Sequence, residues 1–211
     1  MKTIEQRIAE GREYRAFEPV FPEGQKTVEG YASIFDEPFL LWEEENIKFY
    51  EQVDRHAFDN TDLSDVIMQY DHEGRVYARG GNNTLKVAPD DRGLHIEADL
   101  GGTELGAQIY NEIAGRYTTK MSIGFRVRKD RREIEENQET GEVRVLRTIL
   151  DISRLYDVSA VSLPANEATS ITARKYVDGV IDEVRQEIDA RHRARRVQKI
   201  RILAEANTWK N

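Results

Sequence analysis

The sequence predicts a mainly β fold with peripheral helices, an α+β chain built as an antiparallel barrel or sandwich. Two observations carry this. Short runs with bulky residues at alternate positions recur between turn signals from Val28 onward. Only two stretches switch to a helical period, one inside the strand-rich region and one at the C-terminal end.

Residues 1–27 are polar and charged, with Pro19, Pro22 and Gly24 interrupting any long element. They are read as an N-terminal arm. Val28–Phe35 opens the strands with alternating bulky side chains, and further strands are expected at Ile47–Val53, Asp65–Tyr70, Thr84–Val87 and Leu94–Leu100. Thr103–Ala114 differs: Leu105, Ile109 and Ile113 recur every four residues, which is helical, and Gly115 is a suitable stop. Strands are expected again at Lys120–Val127, Val143–Leu150 and Leu155–Leu163. The charged stretch Arg128–Glu142 between the first two reads as a hairpin excursion with its tip at Glu139-Thr140-Gly141-Glu142. Beyond Asn166, Val177, Val180, Ile181, Val184 and Ile188 form a helical apolar stripe, followed by the basic block Arg191–Arg196. The resulting division is an arm over 1–27, a β domain over 28–172 and a charged helical tail over 173–211.

Bulk properties narrow the function. With 39% hydrophobic and 33% charged residues, the chain has the balance of a globular domain with a charged surface, and no apolar run approaches a membrane span of about 20 residues. No membrane association is expected, and the N-terminus lacks the apolar stretch of a signal peptide. The absence of cysteine excludes disulfides, thiolate zinc sites and a cysteine nucleophile. A net charge of −8 argues against the whole chain binding nucleic acid. No two histidines have helical metal-ligand spacing and His-Glu-x-x-His is absent, so no metal is expected, and with no glycine-rich phosphate loop no cofactor is expected either.

Three residues then stand out. His72 ends the apolar run Val66–Tyr70 and opens the turn Asp71-His72-Glu73-Gly74. Ser122 lies in Lys120–Val127, where Met121, Ile123, Phe125 and Val127 share the apolar face, so Ser122 points the other way with Gly124 and Arg126. Gly124 leaves room beside the serine for a substrate carbonyl. Asp157 interrupts an apolar strand, and a buried carboxylate needs a partner, either a histidine N–H or an arginine. Histidine, serine and aspartate are the parts of an activated serine nucleophile. Taken singly, each also fits a plain role: a turn histidine, a solvent-facing serine, an ion-paired aspartate. His56, His95 and His192 are weaker candidates for a base, and there is no Gly-x-Ser-x-Gly elbow.

The order of these motifs resembles the tailed-phage prohead serine protease family. The resemblance rests on Thr27–Phe35, Tyr50–Phe58, Asp71-His72-Glu73, Asp91–Ala98, Met121-Ser122-Ile123-Gly124-Phe125 and Asp157–Asn166, and spans about residues 14–172. It implies a fold like that of the herpesvirus capsid maturation proteases, an antiparallel β-barrel with peripheral helices, here with a C-terminal helix. It implies His72 as base, Ser122 as nucleophile and Asp157 as orienting acid, with Asp71 and Glu73 as rivals for the third role. Because Pro164 lacks an N–H, the backbone N–H groups of Ala165 and Asn166 are the expected oxyanion donors. The implied partners are the major capsid protein with its scaffold segment or a separate scaffold protein, and further copies of the chain. The implied setting is the procapsid interior in the host cytoplasm. The rival from another class is an inactive capsid-assembly module on the same fold.

Overall fold

The structure, a computed structural model, describes residues 26–161 and 171–208. The chain divides into two compact units, residues 1–166 and 167–211. In the first unit nine strands are described: β1 (Thr27–Ile34), β2 (Phe39–Glu44), β3 (Ile47–Val53), β4 (Ile67–Tyr70), β5 (Glu73–Arg79), β6 (Leu85–Pro89), β7 (Gly93–Asp99), β8 (Lys120–Glu136) and β9 (Val143–Val161). Helix α1 (Glu104–Ala114) lies between β7 and β8. In the second unit, α2 (Ile171–Thr208) is a single helix of 38 residues. Most of the expected arm lies outside the described residues.

The strands form two sheets. One has the order β1-β7-β6; the other runs β2-β3-β9-β4-β5, with β8 also paired to β9. The expectation of a mainly β, α+β chain holds, but closure into a barrel does not. Among the described residues each sheet is open: the β1-β7-β6 path ends at β1 and β6, and the other at β2 and β5. The pairing is also mixed, because β9 accepts β3 and β4 in parallel and β8 antiparallel. One core serves both sheets. It runs from Val28, Leu94 and Ile96 on the three-stranded sheet to Met68, Ile149, Ile152 and Val158 on the other.

The long strand β9 organises the unit. Its N-terminal half carries β3, from Ile47↔Val143 to Val53↔Ile149, and its C-terminal half carries β4, from Ile67↔Asp157 to Tyr70↔Ala160. Its other edge pairs with β8 over nearly its whole length. The sequence was expected to break into two strands near Asp151–Arg154, where polar residues cluster. Instead the strand continues, because those residues find partners across the ladder: Asp151 accepts from Arg128 at 3.0 Å, and the Ser153 hydroxyl donates to the Arg126 carbonyl at 2.9 Å. The charged excursion is likewise strand as far as Glu136. Opposite charges at diagonal positions, such as Arg147 with Asp130 at 2.6 Å, give polar strands cross-strand pairs within reach of long side chains.

Two strands escape the alternation pattern. β2 ends in an acidic run, and β5 begins with charged residues and Gly74, which read as a turn. Helix α1 forms as its four-residue spacing predicts. The Thr103 hydroxyl caps it by accepting from the Gly106 N–H, while Ile109 and Ile113 are buried. Its stop differs from expectation: Gly115 keeps a right-handed backbone, and the left-handed residue is Arg116, with φ of 61°.

Candidate active site

The expected base sits in a two-residue hairpin. β4 and β5 pair through Tyr70↔Glu73, leaving Asp71 and His72 as the loop. Their φ angles are 50° and 60°. Positive φ at both central residues is the requirement of a type I′ hairpin, whose twist matches that of the strands. Aspartate and histidine are among the non-glycine residues that tolerate this region. The Asp71 N–H donates to the Ala160 carbonyl at 2.9 Å, tying the loop to β9. That tie aims the His72 ring along β9, where it meets Asp157.

His72 Nδ1 lies 2.6 Å from Asp157 Oδ1, with Asp157 only 9% exposed. An ionised carboxylate only accepts, so Nδ1 carries the hydrogen and donates. This leaves Nε2 as the acceptor, the tautomer a general base needs. Asp157 Oδ1 also accepts from the Ser159 hydroxyl at 2.6 Å, and Ser159 is fully buried. One carboxylate oxygen has two lone pairs and accommodates both donors.

The serine shares that face of the sheet. Ser122 pairs directly with Ser159, and Gly124 with Asp157. Side chains of paired residues project to the same face, and so do residues two apart along a strand. Ser122, Gly124, Asp157 and Ser159 therefore stand together, with Met121, Ile123, Phe125 and Val127 packed against the core on the opposite side. Among the described residues no hydrogen bond joins Ser122 to His72. Catalytic hydrogen bonds often tighten only when substrate binds.

Gly124 has a different use from the one its position suggests. A Cβ placed there would fall well inside van der Waals contact with Asp157 Oδ2. The space beside the serine is thus filled by the aspartate carboxylate rather than kept for a substrate carbonyl. Ser159 went unnoticed as a site residue. The signal for it was available in its spacing of two from Asp157, which puts both side chains on one face.

The remaining candidates lie elsewhere. His56 meets Asp59 at 3.2 Å in an exposed turn, His95 meets Glu29 at 3.1 Å on the other sheet, and His192 is exposed on α2. Of Asp157's two possible partners, histidine is the one it takes. Glu73 is exposed at the start of β5, and neither Asp71 nor Glu73 takes the place of Asp157 at Nδ1. Ala165 and Asn166, the expected oxyanion donors, lie outside the described residues. Among the described residues no helix is long and apolar enough to cross a membrane.

A sequence model of the caudovirus prohead serine protease family matches residues 13–202, most of the chain. No curated protein and no solved structure matches it. The chain belongs to the caudovirus prohead serine protease family, the one its motifs resemble, and the family supports a role as a serine peptidase of capsid maturation.

Proposed function

We propose that this chain is a prohead endopeptidase in which Ser122 is the nucleophile, His72 the general base and Asp157 the residue that orients the base. The observation that carries the reading is the 2.6 Å contact of His72 Nδ1 with Asp157, on the sheet face that also bears Ser122. In the proposed reaction Ser122 Oγ bonds to the scissile carbonyl carbon as its proton passes to His72 Nε2. Asp157 stabilises the resulting imidazolium. The tetrahedral oxyanion needs preorganised donors, and Ala165 and Asn166 N–H groups are assigned that part. Collapse breaks the C–N bond, and His72 returns the proton to the leaving amine. Water then attacks the acyl ester with His72 again as base, freeing Ser122.

The substrates in this reading are the scaffold segment of the major capsid protein or a separate scaffold protein, cleaved inside the procapsid in the host cytoplasm. The chain also cuts itself within 167–211, and the tail over 173–211 docks on a partner, either a second copy or the scaffold. Kinship in fold with the herpesvirus capsid maturation proteases belongs to the same proposal, with open sheets in place of a closed barrel. The test is incubation of wild type and Ser122→Ala with the capsid and scaffold proteins, followed by mass spectrometry. Wild type should process both and shorten its own tail, while folded Ser122→Ala leaves all of them intact. Equal processing by the two refutes the proposal. No processing by either favours the inactive assembly module.

A further inference from the structure

Asp157 is held from three directions, and only one of its holders belongs to the proposed triad. Oδ1 accepts from His72 Nδ1 and from the Ser159 hydroxyl, each at 2.6 Å, while Oδ2 lies against Gly124, where no side chain fits. Ser159 is fully buried and is the β9 residue paired with Ser122 itself. A buried hydroxyl that donates to a carboxylate stabilises its charged form and blocks its rotation. We infer that Ser159 is a positioning residue for catalysis: its hydroxyl and the bare backbone of Gly124 together lock the Asp157 carboxylate in the orientation that aims His72 at Ser122.

The inference rests on the proposed roles of His72, Ser122 and Asp157. Its chemistry makes a signed prediction. Oδ1 shares its negative charge between two donors. Removing the Ser159 hydroxyl leaves more charge facing the ring, so the imidazolium is favoured and the base stays protonated to higher pH. The carboxylate keeps its bond to Nδ1 but loses its second anchor, so the ring is aimed less firmly, which lowers the rate of the chemical step more than it weakens substrate binding.

The experiment measures cleavage rates of capsid and scaffold protein by full-length wild type, Ser159→Ala, Ser159→Thr and Asp157→Asn, at saturating and limiting substrate between about pH 5 and 9. Ser159→Ala should lose about ten- to a hundredfold at saturating substrate, the scale of one hydrogen bond to a charged group. Its half-saturation concentration should stay within about threefold, and the acid limb of its pH profile should move to higher pH. Ser159→Thr, which keeps the hydroxyl, should recover most of the rate and the limb. Circular dichroism checks that each variant is folded. A wild-type rate and limb in Ser159→Ala, beside an inactive Asp157→Asn, overturns the role of Ser159 and leaves the triad standing. A rate loss with an unmoved limb is a packing effect and also overturns it. A fully active Asp157→Asn overturns the triad reading and this inference with it.

Discussion

Two buried carboxylates touch the same strand, about ten residues apart, and have opposite fates. Near the N-terminal half of β9, Glu51 meets Arg147 at 2.9 Å, and Arg147 also reaches Asp130 at 2.6 Å. Near the C-terminal half, Asp157 meets His72 and Ser159. Burial raises the Glu51 carboxyl above its ordinary range, with Arg147 pulling the other way. Its partner is permanently charged, so the pair has nothing to exchange and serves to satisfy a polar group inside a sheet. The partner of Asp157 is an imidazole, a group that can take up and return a proton, and a serine stands on the same face. Burial of an acid is therefore no sign of function by itself. The chemistry of the group it touches decides.

The largest effect should separate these two acids. Asp157→Asn keeps the shape but donates to Nδ1 and imposes the wrong tautomer, with a fall in kcat of about 10⁴-fold, the scale of that change in other triads. Its melting temperature should stay near wild type. Arg147→Met should do the reverse. It strands Glu51 in the sheet and costs about 3 kcal/mol of stability, yet cleavage by the folded fraction should be unchanged. Denaturant unfolding and cleavage assays on both variants provide the contrast. Loss of activity in folded Arg147→Met, or its retention in Asp157→Asn, breaks the comparison.

Gly124→Ala comes next. The added methyl must push the Asp157 carboxylate away from His72, so activity should fall at least about a hundredfold, as expected for a misplacement near 1 Å. Overpacking should cost about 1–3 kcal/mol in denaturant unfolding. A variant with near wild-type cleavage means the slot is not needed.

Glu51→Gln gives a smaller, pH-dependent effect. A carboxyl raised in the folded state binds its proton more tightly there than in the unfolded chain. Its stabilising contribution is full below the unfolded value, ordinarily about 4.5, and is lost as pH rises through the folded value. Glu51→Gln removes that decline, so the difference in stability between mutant and wild type should shift in the mutant's favour as pH rises from 4 to 7. Urea unfolding across this range measures it, and a constant difference contradicts the assignment. The smallest effect is at the hairpin. Asp71→Asn suits a left-handed turn position at least as well as aspartate, so stability should change by no more than about 0.5 kcal/mol and activity by less than about threefold. A severe loss of activity would move the third catalytic role from Asp157 to Asp71.

Legibility in the sequence followed the same physics. The alternation in Val28–Phe35 and Ile47–Val53 and the four-residue spacing in α1 gave elements close to those observed, because each buries one face. The unity of β9 was hidden, since the polar Asp151–Arg154 segment is satisfied by partners far off in sequence, Arg128 and the Arg126 carbonyl on β8 and Asp62 before β4. Open sheets were hidden for a related reason: alternation shows that a strand has an inside, not which strand it pairs with. At the site, His72, Ser122 and Asp157 stood out by residue type and motif. The functions of Gly124 and Ser159 did not, because a glycine and a serine in a strand have ordinary uses. The close approach of Gly124 to Asp157 appears only once the two are in register, whereas the place of Ser159 on the Asp157 face was already open to their spacing of two.

The most direct test of the central claim is covalent labelling of the full-length protein with a fluorophosphonate. An activated serine displaces fluoride to form a stable phosphonyl ester, whereas an ordinary hydroxyl does not react. Peptide mapping should find one adduct, on Ser122, abolished in His72→Ala and strongly slowed in Asp157→Asn. An adduct on another serine, or labelling of Ser122 at the same rate without His72, would contradict the account.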